Sequence, residues 1–600
     1  MKKLIIIIFF LFYTGMAFAT DYYVDADASG ANNGTSKTDA WESFADINWA
    51  TVDSGNGKLF VCGTHREILT PTASGEDGVP IQIVSCTTAN GASAGDPGII
   101  LLSESISSWT HQGDNVYYAT ATNNRANGMI YSGARAKYYI YYTAAGYTYD
   151  PNATGVDTNT DGVVDDTSGM ASEFFYSKYG TTRVNFKTTG GSPGTVEVGA
   201  IAHGILIDSL SYITVDGLTI TGPGASNADE HGIKIESSSN ITIQNSTISH
   251  LYGEAIGINL STTGIVVDNV TIDDCKTGFY FTSGASSCAS EGAAGIIMNS
   301  TITNIGSVAS DWGDRGFVSI NASDCLLIKD NSFTTQGWTD MDKSIDAGIT
   351  ACCLADNIVI RRNTFKDVAL GAIQFSGEAA EPGNTTFEAS YNVIDGWGVY
   401  PPKSGVSYSD KPNGIKIGGA ASGSSMQDVK VYNNLFINGP LGLAYGAYGL
   451  LIANNPITNI EVKNNTFYEN TGCSYEIYNK ATVQGGTWDI DNNVIYRTSG
   501  NGVRWYADMY GYNEIGNWEA AESEVGSNNF NPNDTAETPG LTNAGGGDYT
   551  LAVGSVCINA GEDVSLTTDI AGNTIVGLPD IGAYEFDAVP ANAIQGVDIQ

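Results

Sequence analysis

The sequence predicts an all-β solenoid built from stacked parallel strands. A short apolar strand followed by a polar pair and another apolar residue occurs ten times within residues 209–504. The residues that close these units are 24 to 32 residues apart, except for one spacing of 42. One unit cannot bury its own apolar face, so the units are expected to stack and share a continuous core. The closing residues are Ile220, Ile248, Ile272, Ile302, Phe333, Phe365, Ile394, Phe436, Phe467 and Ile495.

An asparagine stands two residues before each of six consecutive closing residues. Stacked one per coil, these amides are expected to hydrogen-bond along the solenoid axis, in a turn whose left-handed backbone asparagine tolerates. The six are Asn331, Asn363, Asn392, Asn434, Asn465 and Asn493. The pattern resembles the asparagine ladder of right-handed parallel β-helices, the fold of pectate-lyase-like exported proteins. That fold hosts lyases, hydrolases and adhesins alike, so the resemblance implies an architecture rather than an activity.

The first nineteen residues have the features of a signal peptide. Lys2 and Lys3 precede an apolar run over residues 4–13, and Ala17 and Ala19 form an A-x-A cleavage site. The run is too short to span a membrane, and no other apolar stretch reaches that length. We therefore expect cleavage after Ala19 and a secreted or cell-surface protein.

The rest of the chain divides by its patterns. Apolar residues at helical spacing within residues 40–52 predict a short helical cap over the open end of the first coil, and clustered aromatic residues interrupt the repeat after residue 100. The C-terminal stretch resembles the strand and turn that cap the last coil of bacterial β-helix surface proteins. The predicted divisions are a signal peptide (1–19), a cap with the first coils (20–100), a β-rich insertion (101–200), the parallel β-helix (201–510), C-terminal coils and cap (511–586) and a tail (587–600).

Charge and cysteine content limit the partners. A formal net charge of −38 argues against nucleic acid or an anionic membrane, and an acidic polysaccharide would need a local basic patch or a bridging metal. Nine cysteines are an odd number for an exported chain. Cys62 with Cys86, and Cys275 with Cys288, are candidate disulfides, whereas the others suit small buried core residues.

A calcium-type loop lies in the predicted insertion. In DTNTDGVVD, oxygen donors occupy positions 1, 3, 5 and 9, with glycine at the sharp turn, as a hard cation requires. The loop resembles those of thrombospondin type 3 repeats and dockerins, although Ser168 replaces the bidentate glutamate of an EF-hand. A solvated acidic turn is the alternative. The predicted structural Ca²⁺ ligands are Asp157, Asn159, Asp161 and Asp165.

The long strand that follows the glycine of each coil is the candidate active face. Because neighbouring side chains alternate, those two residues past the glycine are expected to share one outer column. With about 4.8 Å per coil, Lys416 should lie about 14 Å from Arg504 and about 29 Å from Lys234. The predicted column is Lys234, Gly257, Tyr280, Val318, Thr350, Gln374, Lys416, Ala444, Glu476 and Arg504.

Lys416 lies in the one expanded coil. NGIKIGG, residues 413–419, is similar to the NG-aromatic-KLGG stretch of family 9 polysaccharide lyases, whose lysine is the base in calcium-assisted β-elimination. The resemblance implies that Lys416 removes the proton α to a uronate carboxylate while a cation stabilises the enolate. Gln374 and Arg504 in the column, and Trp397 and Tyr400 on the rim of the inserted loop, are the predicted substrate contacts.

Acidic residues leave alternatives open. The lyase family carries calcium-binding aspartates just before the lysine, whereas the nearest acids here lie further away, with Asp342 and Asp346 as candidate ligands. Two carboxylates one or two coils apart would instead bracket the separations used by glycosidases. A non-catalytic surface protein that binds an extracellular polysaccharide is the third possibility. Under each of the three we expect a monomer. The acids concerned are Asp311, Asp314, Asp340, Asp342 and Asp346.

Overall fold

The structure is a computed structural model. The residues that it describes are 20–52, 57–92, 95–122, 129–131, 134–135, 137–139, 174–177, 182–224, 230–259, 261–282, 291–305, 316–321, 323–335, 348–352, 355–368, 371–375, 386–398, 412–418, 426–440, 447–453, 457–480, 487–497, 503–505, 511–512, 529 and 539–586.

The fold is a right-handed parallel β-helix with three long sheets, and each coil gives one strand to each sheet. Strands are numbered in chain order. The first sheet contains β1 (Tyr22–Asp25), β2 (Lys58–Cys62), β4 (Ile81–Ser85), β16 (Ser211–Asp216), β19 (Ser239–Gln244), β22 (Ile265–Asp268), β25 (Gly295–Met298), β28 (Leu326–Lys329), β31 (Ile358–Arg361), β34 (Phe387–Ser390), β37 (Val429–Tyr432), β40 (Ile460–Lys463) and β43 (Trp488–Asp491).

The second sheet is made mostly of three-residue strands. It contains β3 (Thr64–His65), β5 (Ile99–Leu101), β17 (Thr219–Thr221), β20 (Thr247–Ser249), β23 (Thr271–Asp273), β26 (Thr301–Thr303), β29 (Ser332–Thr334), β32 (Thr364–Val368), β35 (Val393–Trp397), β38 (Leu435–Ile437), β41 (Thr466–Tyr468) and β44 (Val494–Tyr496).

The third sheet holds the candidate active face. It contains β15 (His203–Asp208), β18 (His231–Glu236), β21 (Glu254–Asn259), β24 (Thr277–Thr282), β27 (Val318–Asn321), β30 (Ile349–Cys352), β33 (Ile373–Phe375), β36 (Asn413–Ile417), β39 (Tyr448–Ile452), β42 (Tyr475–Asn479), β45 (Val503–Trp505) and the antiparallel β46 (Gly511–Tyr512).

The predicted file of closing residues is confirmed. Ile248, Ile272, Ile302, Phe333 and Phe365 pair directly from coil to coil in the second sheet, and none is exposed. The phenylalanine rings stack face to face, with centroids 4.9 Å apart between Phe333 and Phe365. Removing this continuous apolar stripe from water is the main driving force for stacking the coils.

The asparagine ladder is also present. The backbone N–H and the side-chain amide of Asn434 both donate to Oδ1 of Asn465, each at 3.0 Å, and the same pattern links every neighbouring pair. The ladder continues beyond the six predicted members to Asn529. The left-handed residue is the one before each ladder asparagine, for example Asn433 at φ 51°, not the ladder residue itself. The ladder side chain turns into the coil, so the backbone reversal falls one residue earlier.

The N-terminal cap combines two short helical pieces rather than one helix. A 3₁₀ turn, Phe44–Asp46, and the α-helix α1, Trp49–Val52, are separated by Ile47 in an extended conformation. Trp41, Phe44, Ile47 and Trp49 are buried in the same core as the coils, so they cover its first rung.

The β-rich insertion follows β5 and has its own small core. The solenoid resumes directly after it, because β5 pairs with β17 and β4 pairs with β16. Ion pairing between Arg66 and Glu197, at 2.7 Å, attaches the insertion to an early coil. Its strands are β6 (Ser103–Ile106), β9 (Met129–Tyr131), β10 (Ala134–Arg135) and β14 (Val196–Gly199) in one sheet, and β7 (Thr110–Gly113), β8 (Val116–Thr120), β11 (Lys137–Tyr139), β12 (Phe174–Ser177) and β13 (Arg183–Lys187) in another.

The C-terminal segment, residues 539–586, lies along the side of the coils. It includes β47 (Leu541–Asn543), β48 (Asp548–Leu551) and a 3₁₀ turn, Ala544–Gly546; the remaining 3₁₀ turn is Thr88–Asn90. Thr568 accepts a hydrogen bond from Arg362, Tyr549 donates to Asp395, and Asp580 and Glu562 accept from side chains of the next two coils. A strand and turn that cover the last coil were expected here. In the described residues, the segment instead packs against the side of several coils.

Cysteine pairing follows the prediction at one of two places. Cys62 and Cys86 form a disulfide between successive coils, with Cα atoms 4.8 Å apart. Cys275 is not in a disulfide: its thiol is buried in the core and lies 3.5 Å from the carbonyl oxygen of Asp273. Within the described part of the chain, none of the helices has the length and hydropathy of a membrane span.

Candidate functional site

The outer column of the third sheet is defined by strand register. Gln374 pairs with Lys416, Lys416 with Leu451, Leu451 with Tyr478, and Tyr478 with Arg504. The predicted column is right at seven positions and wrong at three, where Ser319, Leu451 and Tyr478 replace Val318, Ala444 and Glu476. Val318 instead pairs with the inward Phe279, because its coil has one more residue between the glycine and the strand.

Lys416 is held at the centre of β36. Its neighbours Ile415 and Ile417 point into the core, so the lysine side chain lies on the outer face, yet only 4% of the residue is exposed. The register puts it three rungs before Arg504 and six after Lys234. These counts correspond to about 14 Å and about 29 Å.

Trp397 does not lie on a rim. Its side chain is fully buried in the core at the end of β35 and meets Phe436 edge-on, with ring centroids 6.4 Å apart. A Cβ atom on Gly439 of the next coil would lie 2.2 Å from the indole ring, so the glycine makes room for it. The expected contact between Trp397 and substrate is therefore incorrect: this aromatic residue packs the corner of the coil.

Several predicted residues lie outside the described part of the chain. For Arg504 the structure describes the backbone only. Among the described residues, no group of three or more His, Cys, Asp or Glu side chains is arranged to hold a metal ion. The predicted residues outside the description are Tyr400, Asp157, Asn159, Asp161, Asp165, Asp311, Asp314, Asp340, Asp342 and Asp346.

A tyrosine cluster adjoins Lys416 on the next two coils. Tyr448 pairs with Asn413 of the Lys416 strand and with Tyr475, and Tyr478 lies 4.7 Å from Tyr448 between ring centroids. Leu451 packs among these rings. The sequence contained a signal, since Tyr448 and Tyr475 are one coil length apart, but aligning this coil on an earlier glycine concealed it.

A second polar column lies at the other end of the third sheet. His203 pairs with His231, and His231 with Glu254, whose Oε2 is 3.3 Å from Nε2 of His231. The His231 ring covers Gly257, where any Cβ atom would lie 2.0 Å away. Spacings of one coil length between these residues were the signal for this column. At about six rungs from Lys416, it cannot belong to the same site.

Two aspartates face each other across one rung at the corner between the third and first sheets. Asp324 and Asp356 form a parallel bridge. Burial and the neighbouring Asp356 carboxylate raise the pKa of Asp324 to about 6, and burial also raises the pKa of Asp356. Asp356 accepts hydrogen bonds from the N–H groups of Asn357 and Thr386. Their backbones are one rung, about 5 Å, apart, which is close to the carboxylate separation of retaining glycosidases.

Buried carboxyl groups also predict how stability depends on pH. Burial raises the pKa of Glu476 to about 7, although Asn470 donates to it at 2.9 Å and Arg497 lies 3.8 Å away. A group whose pKa is raised by folding contributes stability that is complete below its ordinary pKa and is lost as the pH rises through the raised value. We therefore expect the urea concentration at the unfolding midpoint to decrease as the pH rises from about 5 to about 8. Ionisation of Glu476 should account for about 3 kcal/mol of the lost free energy of unfolding.

The Glu476→Gln variant isolates this contribution. Its unfolding midpoint should depend less on pH than that of the wild type, because the amide does not titrate. Glu585, whose pKa burial and the nearby Asp580 and Asp569 carboxylates raise to about 7, would account for part of what remains. Equal pH dependence in the wild type and in Glu476→Gln would contradict the prediction.

Comparison with known proteins bears on the fold. No family model and no curated protein matches the sequence. Among solved structures, XylC, solved in complex with xylose, is 13% identical over 94% of this chain and 98% of that chain, with a TM-score of 0.57. Pectate lyase Pel9A is 10% identical over 95% of this chain and 97% of that chain, with a TM-score of 0.38. GH136 lacto-N-biosidase from Eubacterium ramulus is 11% identical over 85% of this chain and 67% of that chain, with a TM-score of 0.33. At such identities the similarity to XylC supports the fold alone.

Proposed function

We propose that this chain is an exported enzyme that cleaves a uronate-containing polysaccharide by β-elimination, with Lys416 as the general base. The observation that carries the proposal is the setting of Lys416: an almost fully buried lysine on an outer strand face, with Gln374 one rung before it and the tyrosine cluster after it. Burying an amine away from water is unfavourable unless it is hydrogen-bonded or paired with an opposite charge, and buried ionisable side chains on a solvent-facing surface are concentrated at functional sites.

A comparison within the chain strengthens this choice. Lys234 occupies the same column in a similar GIK stretch, but Glu236, two residues further on, forms an ion pair with it at 3.1 Å. In the strand of Lys416 the corresponding position is Gly418. The carboxylate that pairs with Lys234 thus has no counterpart at this position of the Lys416 strand, which is where the two GIK stretches differ.

The proposed reaction uses few protein groups. Lys416 Nζ takes the proton from the carbon α to the uronate carboxylate, and the electron pair of that C–H bond forms the new carbon–carbon double bond. The bond between the β carbon and the glycosidic oxygen breaks, and the departing oxygen takes a proton from water. Gln374, on the preceding rung, would hold the substrate carboxylate by hydrogen bonding.

The substrate class draws support from two directions. XylC, which shares the fold, was solved with a sugar bound. The N-terminal nineteen residues favour export, and the net charge of −38 disfavours nucleic acid and anionic membranes; because the same charge would repel a uronate polymer, its carboxylates need the local positive charge of Lys416 or a bridging metal. A monomeric protein that acts on an extracellular polysaccharide is consistent with both.

The test is incubation of the purified protein with uronate polymers, following ultraviolet absorbance and reducing ends together. β-Elimination creates an unsaturated product that absorbs, whereas hydrolysis creates reducing ends without absorbance. Absorbance and reducing ends that rise together support the proposal. Reducing ends alone point to hydrolysis. If neither signal appears with any acidic polymer, the proposal of enzymatic cleavage is wrong and a binding protein is indicated instead.

Hydrolysis is the second candidate, favoured by the Asp324–Asp356 pair. The raised pKa of Asp324, at about 6, suits a general acid, while Asp356 would act as the nucleophile. If the product lacks absorbance, Asp324→Asn should lower hydrolysis by at least about a hundredfold. Asp428, an aspartate on a later coil that accepts a hydrogen bond from Asn459, provides a matched Asp→Asn control expected to be fully active. Full activity of Asp324→Asn would exclude this pair.

Calcium is proposed as a structural cofactor of the loop at residues 157–165, and Asp342 and Asp346 as ligands of a further ion near the active face. Calcium would neutralise the carboxylates of the acidic loop and, if held near Lys416, the carboxylate of the substrate. We expect calcium to raise the melting temperature and to protect this loop from proteolysis. The double variant Asp157→Ala and Asp161→Ala should abolish both effects. A calcium response that persists in this variant would mean that the ion binds elsewhere.

A further inference from the structure

Beyond Lys416, the outer face of the third sheet carries an ordered aromatic surface. The ring centroids of Tyr448 and Tyr478 are 4.7 Å apart, and those of Tyr475 and Tyr478 are 5.8 Å apart. Tyr448 is 5% exposed and fixed against Leu451, whereas Tyr475 and Tyr478 are partly open to solvent. Aromatic side chains that expose a face from a rigid strand are typical of ligand sites.

A cation sits on this aromatic surface. The Lys480 ammonium lies 5.1 Å from the ring centroid of Tyr478 and 6.0 Å from that of Tyr448. In a chain with a net charge of −38, a lysine held over tyrosines adds positive charge where most of the surface is negative. Arg504 follows Tyr478 in the strand register and adds a second basic residue to this end of the column.

The distance from Lys416 suits one substrate chain that spans both features. Tyr478 follows Lys416 by two rungs through Leu451, which is about 10 Å. An oligosaccharide lying along the solenoid axis would cover this distance with a few sugar units. The single rung between them carries Leu451 in the outer column, so no carboxylate of that column lies between Lys416 and Tyr478.

We infer that Tyr475, Tyr478 and Lys480 form a subsite that binds an acidic sugar unit of the substrate, a few units from the bond that is cleaved. The inference rests on the proposed function for the identity of the polymer. The tyrosine rings contact the apolar face of the sugar, and Lys480 donates a charge-assisted hydrogen bond to its carboxylate. Preference for uronate over neutral sugar would thus be set partly here.

The test is calorimetric titration with uronate oligosaccharides and with their carboxyl-reduced, neutral counterparts, in the Lys416→Ala background so that ligand is not consumed. Tyr478→Ala should lower the affinity for both ligands by about tenfold or more, because both lose their contact with the aromatic ring. Lys480→Gln should lower the affinity for the acidic ligand by about tenfold and leave the affinity for the neutral ligand unchanged.

Tyr496→Ala is the matched control. Tyr496 stacks on Tyr468, with centroids 5.1 Å apart, on the outer face of the second sheet, and is likewise partly exposed. Its replacement should leave both affinities unchanged. Lys480→Gln, which removes charge but little volume, guards against a folding defect in Tyr478→Ala, and far-ultraviolet circular dichroism checks all variants.

Two results separate failure of the subsite from failure of the proposed function. Wild-type cleavage of a uronate polymer combined with unchanged affinities in Tyr478→Ala and Lys480→Gln would overturn the subsite and leave the lyase in place. Acidic ligand binding that depends on Lys480, without any cleavage by the wild type, would support the subsite and overturn the lyase.

Discussion

Replacing Lys416 with alanine is expected to lower the rate of β-elimination by about a hundred- to ten-thousand-fold, the usual contribution of a general base. The fold should survive, because Ile415 and Ile417 carry the core packing of β36 and the lysine lies on the outer face. The loss should appear mainly in kcat, since the base acts on the reacting carbon rather than on distant sugar units. Initial rates of ultraviolet absorbance on a uronate polymer provide the measurement.

Two further lysine variants distinguish a base from a bound positive charge. Lys416→Arg keeps the charge but cannot give up its proton, so it should be as inactive as the alanine variant. Lys234→Ala removes a similarly buried lysine, 8% exposed, from the same column six rungs away, and should retain full activity. Lys416→Ala that kept more than about a tenth of wild-type activity would exclude the lysine as base.

The architecture was predictable because it depends on a repeated requirement. Every coil must place one large apolar side chain inward at the same point, so residues such as Ile302 and Phe333 recur at nearly constant spacing. The ladder was predictable for the same reason up to Asn493. Asn529 was missed because it follows Asn493 by 36 residues without the strand pattern that marked the earlier members.

The site was less predictable because outer residues are not bound by that requirement. A glycine-based alignment slips whenever a coil adds a residue before its strand, as at Val318, and it then confuses inward with outward positions. Trp397 shows a related limit. An aromatic residue beside a long loop suits a sugar-binding rim, but the same residue also fills the space left by Gly439 at a coil corner. Composition alone does not distinguish the two.

Removing one ladder asparagine is expected to destabilise the fold by about 3 to 5 kcal/mol. Oδ1 of Asn434 accepts from the backbone N–H and the side-chain amide of Asn392, both at 3.0 Å, and its own amide donates to the carbonyl of Ala389 at 2.9 Å. Asn434→Ala leaves these groups unpaired in a site without solvent access, and each buried unsatisfied group costs about 1 to 3 kcal/mol. The free energy of unfolding in urea, followed by circular dichroism, measures the loss.

Burial of the asparagine should set the size of the effect. Asn529, the last described member, repeats the pattern: Oδ1 accepts from the backbone N–H and the side-chain amide of Asn493, at 3.1 and 2.9 Å, and its amide donates to the carbonyl of Ile490 at 2.8 Å. Asn529→Ala should therefore cost about as much as Asn434→Ala. Asn543, exposed at a 3₁₀ turn where it accepts from the Gly546 N–H, is a control whose replacement should cost no more than about 1 kcal/mol. Equal losses at Asn434 and Asn543 would mean that water replaces the ladder bonds at little cost. In that case the stacking of the coils would depend on the file of Ile and Phe residues alone.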